Sequence, residues 1–152
     1  MQSEPHKIIR ASAEPDPMTH GVDLDDVMKL CSDAHPISLK PGDILFREGD
    51  EAESMYIVKS GLLRILSGST MYETVGPGGL IGEMAIVEEH IPRSATVIAG
   101  TYAELIEIDM PRFLSLVGST PSFSIAVMRV ISRRLRIMNR RYRSAGRAQA
   151  PG

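Results

Sequence analysis

The residues best suited to chemistry lie in one run, positions 78–97, GGLIGEMAIVEEHIPRSATV. Gly79 and Gly82 permit close approach of backbone. Gly82-Glu83-Met84-Ala85 opens a short helical turn whose free N–H groups offer a local anion site. Ten residues after Glu83 comes Arg93, followed by Ser94, at the entry to a strand. The arginine side chain is a planar fork of donors matched to phosphate. The serine hydroxyl adds a donor to the same oxygens, and Glu83 is an acceptor able to take two hydroxyls of a sugar. Ile81 and Val97 are apolar neighbours for a purine. Together these groups can hold a ribose and a phosphate in one small pocket. The competing role for Arg93 is a salt bridge to Glu83, Glu88 or Glu89.

The elements that must position this run are short. Val22, Leu24, Val27, Met28, Leu30 and Cys31 approximate helical spacing, with Asp23 as N-cap. From residue 36 onward short apolar runs alternate with turn chemistry. Pro41-Gly42 suits a type II turn. Gly49-Asp50, Ser60-Gly61, Gly68-Ser69 and Gly76-Pro77-Gly78-Gly79 follow. The expected strands are 44–46, 55–58, 62–66, 71–75, 95–99 and 102–108. Short strands with turns every 8–12 residues, as in antiparallel sandwiches and barrels, predict a mainly β domain with flanking helices. Pro111 starts a short helix that Gly118 is expected to end. Ser119 or Thr120 caps a second helix, over about 121–144. On it, Met128, Ile131, Leu135, Met138 and Tyr142 form a heptad seam. That seam packs either on its own domain or on a second copy, and intra-domain packing with partial dimer contact is expected. Arg129, Arg133, Arg136, Arg140 and Arg143 flank it as solvated charges.

At 152 residues the chain suits one domain, and its 43% hydrophobic content supports a core without disulfides or metal. The expected limits are a flexible tail at 1–21, a domain over 22–144 and a flexible end at 145–152. No run of about 18 apolar residues can span a membrane, and no apolar leader opens the chain. Cys31 is the lone cysteine, which points to a reducing, cytoplasmic setting. Residues 1–128 hold nine basic and nineteen acidic residues, net −10; residues 129–152 hold eight arginines and no acid. A basic segment behind an acidic body is either a solvated helix face or a contact for an anionic partner.

The 78–97 run resembles the phosphate-binding cassette of cyclic nucleotide-binding domains, G-E-[LM]-[AS]-L followed by P-R-[ST]-A-T-V. The matches are Gly82-Glu83-Met84-Ala85-Ile86 and Pro92-Arg93-Ser94-Ala95-Thr96-Val97. Pro41-Gly42-Asp43, Gly49-Asp50, Met55-Tyr56-Ile57-Val58 and Ser60-Gly61 resemble the upstream half, so the likeness covers about residues 22–144. It implies a jelly-roll (double-stranded β-helix) β-roll with an N-terminal helix, a cassette helix and C-terminal helices. It implies that Arg93 pairs with the cyclic phosphate, assisted by the Ser94 hydroxyl, the Ala95 N–H and the Met84 and Ala85 N–H groups. Glu83 would accept from the ribose 2′-hydroxyl, with the Gly82 backbone beside it. The Glu83–Arg93 spacing and Ser132-Arg133-Arg134-Leu135 resemble the bacterial catabolite-activator branch. There the long helix makes the dimer and offers hydroxyls to the purine; here Met138 and Asn139 stand at those positions, and Asn139 can bond a base edge. Arg134 is either a purine-capping arginine or a solvated helix residue. Ser94, rather than Thr, implies cyclic AMP before cyclic GMP.

The resemblance therefore implies a sensor that signals through its C-terminal helix to a protein partner or to a second copy in a homodimer. Alternatives are a sensor fragment of a larger transcription factor or channel, and a ligand-free domain using its Arg-rich helix on an anionic partner. No helix-turn-helix follows Tyr142, so no specific DNA binding is expected. His6, His20, His35 and His90 are scattered, so no metal is expected, and no nucleophile–base pattern suggests an enzyme.

Overall fold

The computed structural model of the chain describes residues 21–149; the expected tail over residues 1–20 lies outside them. Helix α1, Leu24–Leu30, starts at Asp23, whose carboxylate accepts from the N–H groups of Asp25 and Asp26. That bond satisfies donors left open in the first turn. Eight strands follow: β1 Ile37–Leu39, β2 Ile44–Phe46, β3 Ser54–Ser60, β4 Leu63–Ser67, β5 Thr70–Val75, β6 Leu80–Ile81, β7 Thr96–Ala99 and β8 Ala103–Asp109. The cassette helix α2, Glu83–Val87, interrupts them between β6 and β7. The strands form two antiparallel four-stranded sheets, β1-β8-β3-β6 and β2-β7-β4-β5, a jelly roll flanked by helices. The expected strands are present. β1 and β6, of three and two residues, are additions with too little pattern of their own.

β3 and β8 form the spine, pairing from Ser54↔Asp109 to Val58↔Leu105. β3 is buried on both faces over Ser54–Val58, and β8 buries Leu105 on one face and Ile106 and Ile108 on the other, so alternate residues serve two cores. Met55, Ile57, Ile106 and Ile108 join one core with α1 and the C-terminal helices. Tyr56, Val58, Leu105, Leu63, Ile65 and Val97 fill the space between the sheets. Each fully buried side chain of this size contributes about 1.5–3 kcal/mol.

Helix α3, Met110–Ser119, is capped by Asp109, which accepts from the Arg112 N–H at 3.0 Å. Gly118 lies within α3 instead of ending it; the helix stops one residue later, where Pro121 opens α4, Pro121–Gln149. Helix α4 runs five residues past the expected end at 144. Phe123, Ala126, Val127 and Val130 of α4 are buried against the body. This stripe lies about one position away from the expected seam. Ile131 of that seam packs on the core, but Met128 is 61% and Leu135 56% exposed. The intra-domain role belongs to the neighbouring stripe because Phe123, Val127 and Val130 share a face at spacings of four and three. Among the described residues no single helix is long and apolar enough to cross a membrane.

Candidate functional site

The cassette is built on a backbone turn only glycine accommodates easily. Gly82, the N-cap of α2, has φ +74°, a left-handed conformation that costs an L-residue roughly 1–2 kcal/mol. A β-carbon there would also lie 2.5 Å from Arg93 Nη1. The same absent side chain therefore allows the turn and leaves room for the guanidinium.

Arg93 is set by the 47–50 turn. Its N–H donates to the Asp50 carbonyl and its carbonyl accepts from the Gly49 N–H, at 2.9 and 2.8 Å. Asp50 closes the turn by accepting from the Arg47 N–H, and Thr96 Oγ1 accepts from the Glu48 N–H. The side chain is 6% exposed and lies over Phe46, with its guanidinium carbon 4.1 Å from the ring centroid. Tyr56 stands further off, at 5.7 Å. Arg93 forms no salt bridge among the described residues, so the expected competing pairs with Glu83, Glu88 or Glu89 are not made. Its Nε and Nη1 are buried without a hydrogen-bond partner. Burial lowers its pKa from the ordinary arginine value, more than Tyr56, Glu107 and Asp50 raise it. A desolvated cation with unused donors is a strong anion site.

Glu83 is 2% exposed and meets α4 through Arg134, whose Nη1 donates to Glu83 Oε1 at 2.6 Å. Arg134 also donates from Nε and Nη2 to the two carboxylate oxygens of Glu73 on β5, at 2.9 and 3.1 Å. Its Nη2 further donates to the Leu80 carbonyl at 2.7 Å, and Arg133 Nη2 joins Glu73 at 2.9 Å. Burial opposes the charge of Arg134, but Glu83 and Glu73 outweigh it and raise its pKa. Burial likewise tends to raise the Glu73 pKa, but Arg134 and Arg133 outweigh it and hold the carboxyl below its ordinary range. Arg134 is thus not a solvated helix residue, and Arg133, expected among the solvated flankers, is paired and largely buried.

A cavity of about 460 Å³ collects these groups. Of the expected site residues, Gly82, Glu83, Met84, Ala85, Arg93, Ser94, Ala95 and Arg134 all line it. Asn139 does not; it is exposed and five positions from Arg134, on another face of α4. Met138, Arg141 and Tyr142 carry the helix wall instead. The Ala85 N–H donates to the Gly82 carbonyl at 3.2 Å, so of the two expected amides of α2 that one is already engaged. The sequence reading missed Phe46, Ser67 and Thr70 in the lining, and Glu73 behind it. Helical spacing from Arg134 (four, seven, eight) would have found Met138, Arg141 and Tyr142; no local signal marks Glu73. Among the described residues no group of three or more His, Cys, Asp or Glu side chains is placed to hold a metal ion.

Comparison with known proteins identifies the family. The family model for the cyclic nucleotide-binding domain matches residues 36–120, more than half of the chain. The chain belongs to that family. Lysophospholipase nte1 of Neurospora crassa is 32% identical over 105 residues, 66% of this chain but 7% of the fungal protein. The Cyclic AMP receptor protein of Thermus thermophilus is 30% identical over 125 residues, 79% of this chain and 57% of the relative. The crystal structure of Thermus thermophilus Catabolite Activator Protein superposes with a TM-score of 0.69 at 26% identity, covering 86% of this chain and 63% of that one. The chain therefore spans only part of these relatives, and its likeness to the fungal protein is confined to this one domain.

Proposed function

We propose that the chain is a cytoplasmic sensor of a cyclic nucleotide, cyclic AMP before cyclic GMP, with its binding domain over 22–144. One observation carries the reading: Arg93 is a buried cation whose Nε and Nη1 have no protein partner, at the wall of a cavity that also holds Glu83. The cyclic phosphate takes the guanidinium and the Ser94 hydroxyl. The ribose hydroxyl donates to Glu83. The purine lies toward Met138 and Tyr142 of α4. Ser94 in place of threonine favours adenine.

The output is a shift of α4, which forms one wall of the cavity while its Met128 and Leu135 face outward. A ligand can shift α4 only by binding one of its positions better than another. The partner that reads the shift is a protein or a second copy meeting α4 through those exposed apolar residues. Isothermal titration with cyclic AMP, cyclic GMP and 5′-AMP tests the proposal. Saturable binding of a cyclic nucleotide but not of 5′-AMP is expected; no heat from either cyclic nucleotide at millimolar concentration overturns it.

A further inference from the structure

We infer that Glu73 is a positioning residue for sugar recognition: by holding Arg134 with two bonds it limits that arginine to one oxygen of Glu83. The inference rests on the proposed cyclic nucleotide site and goes beyond it, because Glu73 is not among the residues lining the cavity. Its carboxylate receives Arg134 Nε at 2.9 Å on Oε1 and Arg134 Nη2 at 3.1 Å on Oε2. Two parallel bonds fix the plane of a guanidinium. The same Nη2 is held by the Leu80 carbonyl, and Arg133 anchors Glu73 Oε2. With Nε and Nη2 committed to Glu73, Nη1 alone reaches Glu83, at Oε1.

The alternative arrangement follows from the same chemistry. Arg134 and Glu83 are both buried, with 12% and 3% of their side chains exposed. An arginine released from Glu73 keeps only the Leu80 carbonyl on Nη2 and can turn an edge to Glu83 and take both of its oxygens, the favoured geometry for this pair. A carboxylate covered in that way has less capacity for a sugar hydroxyl. Glu73 thus acts from β5, through α4, on an acceptor in α2. Losing it should impair recognition of the hydroxyl in particular.

The test compares dissociation constants of cyclic AMP and 2′-deoxy cyclic AMP for the wild-type chain and for Glu73→Gln. A hydrogen bond to a charged acceptor makes the wild-type preference for the ribose form roughly tenfold or more. Glu73→Gln should bring that ratio down at least threefold. A purely structural role for Glu73 would weaken both ligands alike, so an unchanged ratio overturns the inference. Should Glu73→Gln fail to fold by circular dichroism, Glu73→Asp decides. Its shorter carboxylate should give a ratio below wild type, and a wild-type ratio again overturns the inference. Absence of cyclic nucleotide binding by the wild-type chain is a different failure: it removes the proposed function and this inference with it.

Discussion

Arg134 on α4 and Glu83 on α2 are joined at 2.6 Å, a direct bond between the longest helix and the cassette. The two site arginines are in opposite electrical conditions. Arg134 is compensated by two carboxylates and a carbonyl. Arg93, which lies against Gly82, has an aromatic ring beneath it and two donors unused. Charge in this pocket is therefore organised so that one cation positions and the other remains available to an anion.

Arg93→Met should separate binding from stability. Truncating one partner of a buried charge pair costs 2–5 kcal/mol, so cyclic nucleotide affinity should fall roughly thirtyfold to several thousandfold. Without nucleotide the variant should be more stable than wild type by about 1 kcal/mol or more, because buried donors without partners are removed. Titration calorimetry and denaturant unfolding check the two halves. A variant that keeps wild-type affinity contradicts the site assignment.

Gly82→Ala should harm both properties. The left-handed conformation costs alanine roughly 1–2 kcal/mol, and the new methyl meets Arg93 Nη1. The melting temperature should drop and affinity should fall with it. Thermal scans with and without cyclic AMP read both effects.

Phe46→Leu keeps an apolar side chain under Arg93 but removes the aromatic face. The lost cation–π support of about 0.5–2 kcal/mol predicts roughly two- to thirtyfold weaker binding. Wild-type affinity in this variant would show that the 4.1 Å stack does not help to hold the guanidinium.

Glu73 gives the fold a dependence on acid. Its folded pKa lies below a glutamate's ordinary value of 4.5. The stabilisation is therefore fully present above that value and is lost as pH falls through the lower folded pKa. Unfolding followed from pH 7 down to about pH 3 should show a component of stability loss that Glu73→Gln lacks.

The cassette was legible because its parts are local. Gly82 to Ala85 and Arg93 to Ala95 meet in one cavity, as the motif implies, since a turn and a strand entry fix them. Arg134 could not be placed from sequence. Its surroundings depend on Glu73, 61 residues away, and on Glu83, 51 residues away. Glu73 itself reads as an ordinary charge on a strand, and only tertiary folding brings α4 over it. Asn139 failed for a helical-phase reason, being 140° from Arg134 on a 3.6-residue helix, whereas Met138 and Tyr142 share the face toward the pocket. The seam is divided for a similar reason: Ile131 packs on the core, but Met128 and Leu135 are exposed because the core takes Phe123, Val127 and Val130 beside them.

Helix α4 is fixed at one end by those core residues and by the Arg133 and Arg134 ion pairs. Beyond Arg134 it continues for fifteen residues, to Gln149, about 22 Å of helix. It is a lever pivoted near its middle, with the cavity just past the pivot. A tilt of about 10° there swings the far end by about 4 Å, on the 1.5 Å rise of each residue. A displacement too small to alter the fold of the roll becomes, at the tip, larger than a hydrogen bond, on a surface about 20 Å along the helix from Arg134.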